Sequence, residues 1–395
     1  MTSYRRLSLL LTVSAALPIC AMAQSAPAPR QVPLQETVHG IALSDEYRWM
    51  EDAANKQEWA DWVAAESRNT RKMLDAMPLQ AEFARLITAT SSSLIRQGGY
   101  QRSGMTEIWS RTLPGEQVPK LIVRDKSGTR VLVDPARATG DALSAMGAFS
   151  LSPDGRTVAV HLSAGGSEVG TVRFFDTAAG KETYPAIPSM WGERAATFLP
   201  DGMVAYTQMP ETVIENDPLK GMTTWLRPLA GGKPIKVLGM GYPGADIASS
   251  EFPGFLFSAL SPIVLGSAGG ARADLKLFAT PRAALLAGKP SWVPFAALED
   301  NVYSAVLRGR SAYLITSRTN SARDLVARPL DAAGRPGIPH VLMRGTDRLI
   351  LQDLAATREG LYVFASTDGV LRLLYLPNAT GAPREVKLPF EGTLS

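Results

Sequence analysis

The chain has 395 residues, 45% of them hydrophobic, and its 41 Lys and Arg against 37 Asp and Glu give a formal charge of +4. That length allows one large domain or two smaller ones, with ample apolar material for a core. A charge this close to neutral, with no Lys/Arg run, excludes the phosphate-binding stripe of a nucleic-acid partner, and one cysteine (Cys20) with three dispersed histidines leaves no disulfide framework and no metal-ligand cluster.

Residues 1–23 read as a secretory signal peptide. Arg5 and Arg6 form the positive start, an apolar run follows, and Ala21-Met22-Ala23 is the small-x-small pattern that precedes cleavage before Gln24. The run is short of the ~20 residues that span a bilayer and is broken by Pro18, so no membrane segment is expected after cleavage. Ile19 is too bulky to precede a lipidated Cys20. The expectation is an exported, periplasmic or secreted chain with net charge +2 once Arg5 and Arg6 are gone, and no thiol.

Residues 24–35, rich in Pro and Ala, read as a flexible leader. Residues 36–92 read as a helical arm. Trp59, Trp62, Val63, Thr70, Met73, Leu74 and Met77 recur at spacings of three and four, which is one face of a helix. Pro78 ends it, and Leu79–Thr90 repeats the pattern with Phe83, Leu86 and Ile87.

From Gly98 the signature changes to short β-branched and aromatic runs separated by Gly, Pro, Asp and Asn: TEIWSRTL, PKLIVRD, RVLVD, RTVAVHLS, GTVRFFDT, MVAYTQM. These are strands joined by tight turns. SPDGRTVAVHLS at 152 is echoed by LPDGMVAYTQM at 199, and more weakly at 260, 308 and 357. A repeat of this length carrying four strand signals is the mark of a β-propeller, whose small sheets bury both faces against their neighbours. The expected fold is mainly β, a propeller over 93–395 with six blades readable, preceded by the short helical arm. Asp154-Gly155 and Asp201-Gly202 are its hairpin turns.

Three segments carry a family resemblance. HGIALSDEYRWMEDAANKQEWADWV resembles the Y-x-W-[ML]-E-D start of the prolyl oligopeptidase family of serine peptidases. VLVDPARATG through SLSPDGRTVAVHLSAGGSE resembles the family's passage from first to second blade. TSRTNSARDLVARPL resembles its T-x-R-x-S-x-x-x-L element. The likeness runs from about Glu36 to Ser395. It implies a seven-bladed propeller capping a C-terminal α/β-hydrolase domain, onto which the Trp-rich arm packs; it further implies acyl transfer to Ser and hydrolysis of short peptides after Pro, without a cofactor. By that pattern the propeller ends short, and the missing hydrolase domain is the arm's partner. The resemblance also implies that Phe174, in GTVRFFDT, is the propeller residue that points toward the substrate cavity; the alternative is that it packs between blades.

No catalytic residue is legible. The fold of that hydrolase presents its serine in a G-x-S-x-G elbow. Gly166-Ser167-Glu168-Val169-Gly170 comes nearest, but Val169 stands where Gly is needed and the segment lies between strands; Gly266-Ser267-Ala268-Gly269-Gly270 reads as a loop. None of His39, His161 and His340 lies in a family motif for the general base. GMGYPG at 239–244 lacks the spacing of a dinucleotide loop. Two functions remain: the arm and propeller of an exported prolyl-oligopeptidase-like peptidase without its own triad, or a non-catalytic periplasmic propeller that binds a peptide or partner.

Overall fold

Runs such as Thr157–Ser163 and Ile263–Gly270 are almost wholly buried, so both faces of their sheets are covered. The computed structural model describes residues 28–214, 217–379, 381–389 and 392, and the expected signal peptide lies outside them. It divides into two units, the first ending at Leu94 and the second beginning at Ile95.

The second unit contains six successive four-stranded antiparallel blades. Blade 1 is formed by Arg96–Ser103, Thr106–Thr112, Lys120–Asp125 and Gly128–Val133, and blade 2 by Ala145–Leu151, Thr157–Ser163, Val169–Asp176 and Glu182–Trp191. Blade 3 is formed by Thr197–Phe198, Met203–Gln208, Thr223–Pro228 and Ile235–Gly239, and blade 4 by Phe252–Leu256, Ile263–Gly270, Arg272–Pro281 and Val293–Ala296. Blade 5 runs through Val302–Arg308, Ser311–Thr316, Asp324–Pro329 and His340–Arg344, and blade 6 through Ile350–Ala356, Gly360–Thr367, Val370–Pro377 and Arg384–Val386. Single backbone pairs, Met190 with Gln208 and Leu275 with Val302, join neighbouring blades.

Each apolar core is shared by two consecutive blades. Ile108, Leu121 and Val123 of blade 1 meet Val158, Val160 and Phe175 of blade 2. Phe174 and Met190 meet Phe198 and Tyr206 across blades 2 and 3. Leu226 and Leu238 meet Val264, Phe278 and Trp292 across blades 3 and 4. Leu265 and Leu277 meet Leu307 and Leu314 across blades 4 and 5, and Ile315 and Leu325 meet Leu351 and Val363 across blades 5 and 6. The hydrophobic effect thus acts between blades rather than inside them, which is why a single sheet of this kind cannot stand alone. Among the described residues no such core joins blade 6 to blade 1.

The first strands of neighbouring blades lie beside one another, blades 1 with 2, 2 with 3, 4 with 5 and 5 with 6, which places them on the inner side of the array. In blade 3 that strand has only two residues, Thr197 and Phe198. The chain ahead of it, Gly192–Ala196, is irregular.

The first unit holds a hairpin, Leu34–Val38 with Ile41–Asp45, and two helices, α1 (Lys56–Asp75) and α2 (Gln80–Ser93). The hairpin corrects the expectation of a leader running into helix. Its turn places both His39 and Gly40 at positive φ, 52° and 81°, a conformation that sequence periodicity does not announce. Trp49 is the only buried residue among the described residues up to Leu94. Its indole N–H donates to the Arg30 carbonyl at 2.8 Å, and the Arg30 guanidinium lies 4.3 Å from the ring centre. Asp52 then caps the next turn by accepting from Ala54 N at 2.9 Å. The Y-x-W-M-E-D segment is therefore a structural clasp. Neither α1 nor α2 has a buried residue, and Trp59, Met73, Phe83 and Ile87 are exposed.

Candidate functional site

The short inner strand of blade 3 is the irregularity that makes room for a site. The loop Trp191–Ala196 crosses in front of it and reaches the inner strand of blade 4. Trp191 lies edge-on to Phe252, ring centres 5.4 Å apart, and the Trp191 indole donates to Glu168 at 3.3 Å. Ala145–Gly147, His161, Glu168 and Trp191–Glu193 line a hollow of about 190 Å³ at this end of blade 2.

His161 forms the wall of that hollow. It is 1% exposed, and its Nε2 donates to the Met190 carbonyl at 3.1 Å, which leaves Nδ1 bare and without a partner. Burial holds its pKa below the ordinary 6.5, only partly offset by the Met190 bond, so the ring is neutral at pH 7. Glycines clamp the ring: a Cβ on Gly170 would stand 2.6 Å from Nε2, and one on Gly147 would stand 2.7 Å from Nδ1. No Ser, Cys or Asp completes a triad with it among the described residues.

The expected substrate contact, Phe174, sits elsewhere. It has no exposed surface, and its ring lies edge-on to Tyr184 and Phe198 at 6.3 and 6.1 Å. A ring so covered has nothing to present to a peptide in this conformation; the packing is that of a core residue between blades 2 and 3. Sequence pattern alone could not separate the two roles, because the paired phenylalanines 174 and 175 point to opposite faces of one strand and both faces are covered.

The T-x-R-x-S-like element also has a structural explanation. Asp324 is 1% exposed and accepts from Asn320 Nδ2 at 2.7 Å, Thr319 Oγ1 at 3.2 Å and Arg344 at 3.1 Å. Asn320 also donates to the Gly345 carbonyl, and its own oxygen accepts from Ala322 N. Thr316 and Arg318 tie down Asp300, Thr316 through the backbone carbonyl and Arg318 through the carboxylate. A larger cavity of about 280 Å³ borders this network on blade 5. Its arginines are spent, Arg318 on Asp300 and Arg328 on the Phe295 carbonyl.

Among the described residues no group of His, Cys, Asp and Glu is arranged to hold a metal, and no helix is long and apolar enough to cross a membrane.

Fold and inner lining define a β-propeller protein with an N-terminal helical segment. Residues 27–220 match the family model for the prolyl oligopeptidase N-terminal β-propeller domain. A prolyl endopeptidase of Elizabethkingia miricola is 24% identical over 184 residues, 45% of this chain and 26% of that protein. Among solved structures, one of two prolyl endopeptidases studied for inter-domain dynamics superposes with a TM-score of 0.76 at 18% identity, covering 93% of this chain and 54% of that one. Prolyl oligopeptidase B of Galerina marginata, bound to a 35-residue hydrolysis and macrocyclization substrate, gives 0.72 at 12% identity over 93% and 55%. Oligopeptidase B of Leishmania major gives 0.68 at 15% over 93% and 54%. The structural likenesses concern the fold. Over residues 27–220 the chain carries the N-terminal β-propeller domain of the prolyl oligopeptidase family. It spans about half the length of these solved relatives.

Proposed function

We propose that this chain acts as the substrate-admitting part of an exported prolyl-oligopeptidase-type serine endopeptidase, with short peptides as its ligands and a hydrolase domain as its partner. The observation that supports the reading most directly is the Trp191–Phe252 aromatic pair beside the short inner strand of blade 3. Aromatic faces at the mouth of a propeller suit a proline ring, which is apolar and rigid. Residues 1–395 hold no G-x-S-x-G elbow. Catalysis by the family's route needs a serine activated by a positioned His, with donors for the oxyanion, so the chain itself binds and does not cleave.

The test is to titrate the chain with short neutral proline peptides and with equivalent peptides lacking proline, and in parallel to incubate it with a chromogenic prolyl amide and a serine-directed covalent inhibitor. Saturable binding that favours proline, without turnover or labelling, is the expected result. Absence of any peptide binding overturns the reading. Turnover that co-purifies with the chain overturns its non-catalytic part. For export, the expected outcome is a mature N-terminus at Gln24, read by N-terminal sequencing of the protein from its native host.

A further inference from the structure

Arg194 is the one described residue of the Trp191–Ala196 loop that is charged and turned toward blade 4. Its backbone N–H donates to the Trp191 carbonyl at 3.0 Å, while its guanidinium has no hydrogen-bond or ion-pair partner among the described residues. It is partly buried, and that burial presses its pKa down from the ordinary arginine value, against the pull of the neighbouring Glu193. Partial burial strips such a cation of part of its water, and no carboxylate among the described residues stands in for it. The nearby buried carboxylate does not serve: Glu251 is committed to Arg272 at 2.5 Å and Lys276 at 2.8 Å.

A second unpartnered polar group stands at the same place. Ser267, on the second strand of blade 4, is 8% exposed, and its hydroxyl has no partner among the described residues. Ser267 pairs with Gly254 of the inner strand. A Cβ on Gly254 would stand 2.9 Å from Arg194 Nη1 and 3.2 Å from Ser267 Oγ. A side chain at that position would strike the guanidinium, so glycine lets a guanidinium and a hydroxyl, both donors without a protein partner among the described residues, converge on one place. The chemistry complementary to two convergent donors, one of them a planar cation, is a carboxylate: one oxygen accepts from the guanidinium fork and the other from the hydroxyl.

We propose that Arg194 and Ser267, across Gly254, form a subsite for a peptide carboxylate, either the free C-terminus or an acidic side chain. The proposal rests on the reading of the propeller as peptide-binding and adds a charge preference to it. The aromatic pair Trp191 and Phe252 lies on the residues that flank the subsite in sequence, so one short peptide can engage both.

The test uses the full chain and four probes: Gly-Pro-Ala as free acid and as C-terminal amide, and the amides of Gly-Pro-Glu and Gly-Pro-Gln, titrated by calorimetry. One hydrogen-bonded charge of this kind contributes roughly ten- to a hundredfold in affinity. The free acid, the Glu peptide or both should bind at least about tenfold tighter than the neutral counterpart; which pair shows it identifies the source of the carboxylate. In Arg194→Gln the difference should vanish, with neutral peptides bound as before. Arg194→Lys, which keeps the charge without the fork, should retain part of the preference, and Ser267→Ala should reduce it. Cooperative thermal unfolding checks that each variant is folded; where Arg194→Gln is not, Arg194→Lys and Ser267→Ala decide. No preference in either pair, neither acid over amide nor Glu over Gln, by the native chain overturns this proposal alone, as does a preference that survives these substitutions. Binding of no probe overturns both this proposal and the peptide-binding reading.

Discussion

Phe174 meets Phe198 edge to face, with ring centres 6.1 Å apart and planes inclined at 75°. One ring belongs to the third strand of blade 2, the other to the clipped inner strand of blade 3. The contact anchors that short strand and the loop before it from behind, by burial and by the favourable edge-to-face quadrupole. Phe174→Ala should destabilise the propeller by about 3–5 kcal/mol, the usual cost of emptying a buried aromatic site. Chemical denaturation should show the shift in midpoint, and peptide affinity per folded molecule should hold. A folded variant of native stability that has lost peptide binding would instead make Phe174 a ligand contact.

His161 makes stability depend on pH. Its ring is buried neutral, with its pKa below 6.5, so the unfolded chain binds a proton that the native state resists. Stability from this source is complete above about 6.5 and declines as pH falls through that value toward the lower native pKa. Glu168 and Glu193, which line the same hollow, are the carboxylates that would compensate a protonated ring. His161→Gln should flatten the stability profile over the interval just below pH 6.5, measured by denaturant midpoints at stepped pH. An unchanged slope would show that the ring charges freely in the native state.

How much of this was legible beforehand follows from what each segment buries. The echoes starting at 152, 199, 260, 308 and 357 lead into the second strands of blades 2–6, whose apolar runs are long because both faces are covered. Blade 1 gave no echo, since Thr106–Thr112 alternates with polar residues and only two of its positions are buried. The hairpin at 34–45 was missed because its strands are exposed on both faces and carry no period. The site was less legible than the fold. Arg194 and Ser267 are 73 positions apart in sequence, and only the strand pairing of Gly254 with Ser267 brings them together. A lone Arg in a loop and a Ser in a strand give no signal by themselves. Phe174 drew attention because it lies in a recognisable segment, but that segment carries no signal of the burial between blades 2 and 3 that the structure shows.

The Asp324 network should behave as a structural latch. Asp324→Ala removes the acceptor for Asn320 and Thr319 and leaves their donors facing a covered site. The expected loss is about 1–3 kcal/mol, the cost of unsatisfied buried partners. Arg344 is mostly exposed and adds little. Asp324→Asn, which keeps one acceptor oxygen, should recover part of the loss. Equal stability of all three proteins would mean that water replaces the carboxylate without penalty.

Helices α1 and α2 should be the least protected part of the chain in hydrogen exchange. Their backbone bonds are intact, but neither helix has a buried side chain, and Trp62 Nε1 is covered without a hydrogen-bond partner. Helical stability in proteins comes chiefly from packing an apolar face, and an isolated helix of this length is marginal in water. Each large apolar side chain left in water forgoes roughly 1.5–3 kcal/mol, which for Trp59, Met73, Leu74, Phe83 and Ile87 is the main part of what would hold the pair. Amides from 56 to 93 should therefore exchange by local opening, while those of Thr157–Ser163 and Ile263–Gly270 exchange only on global unfolding. Limited proteolysis should cut first between Asp75 and Gln80 and leave the blades intact. If the proposed hydrolase partner docks on this face, adding the hydrolase domain of a related peptidase as a separate chain should slow exchange at Trp59, Trp62 and Leu74 more than anywhere in the blades. Protection of α1 equal to that of the blade cores, in the chain by itself and at concentrations where it is monomeric, would show that the helix is already held by contacts its exposure does not reveal.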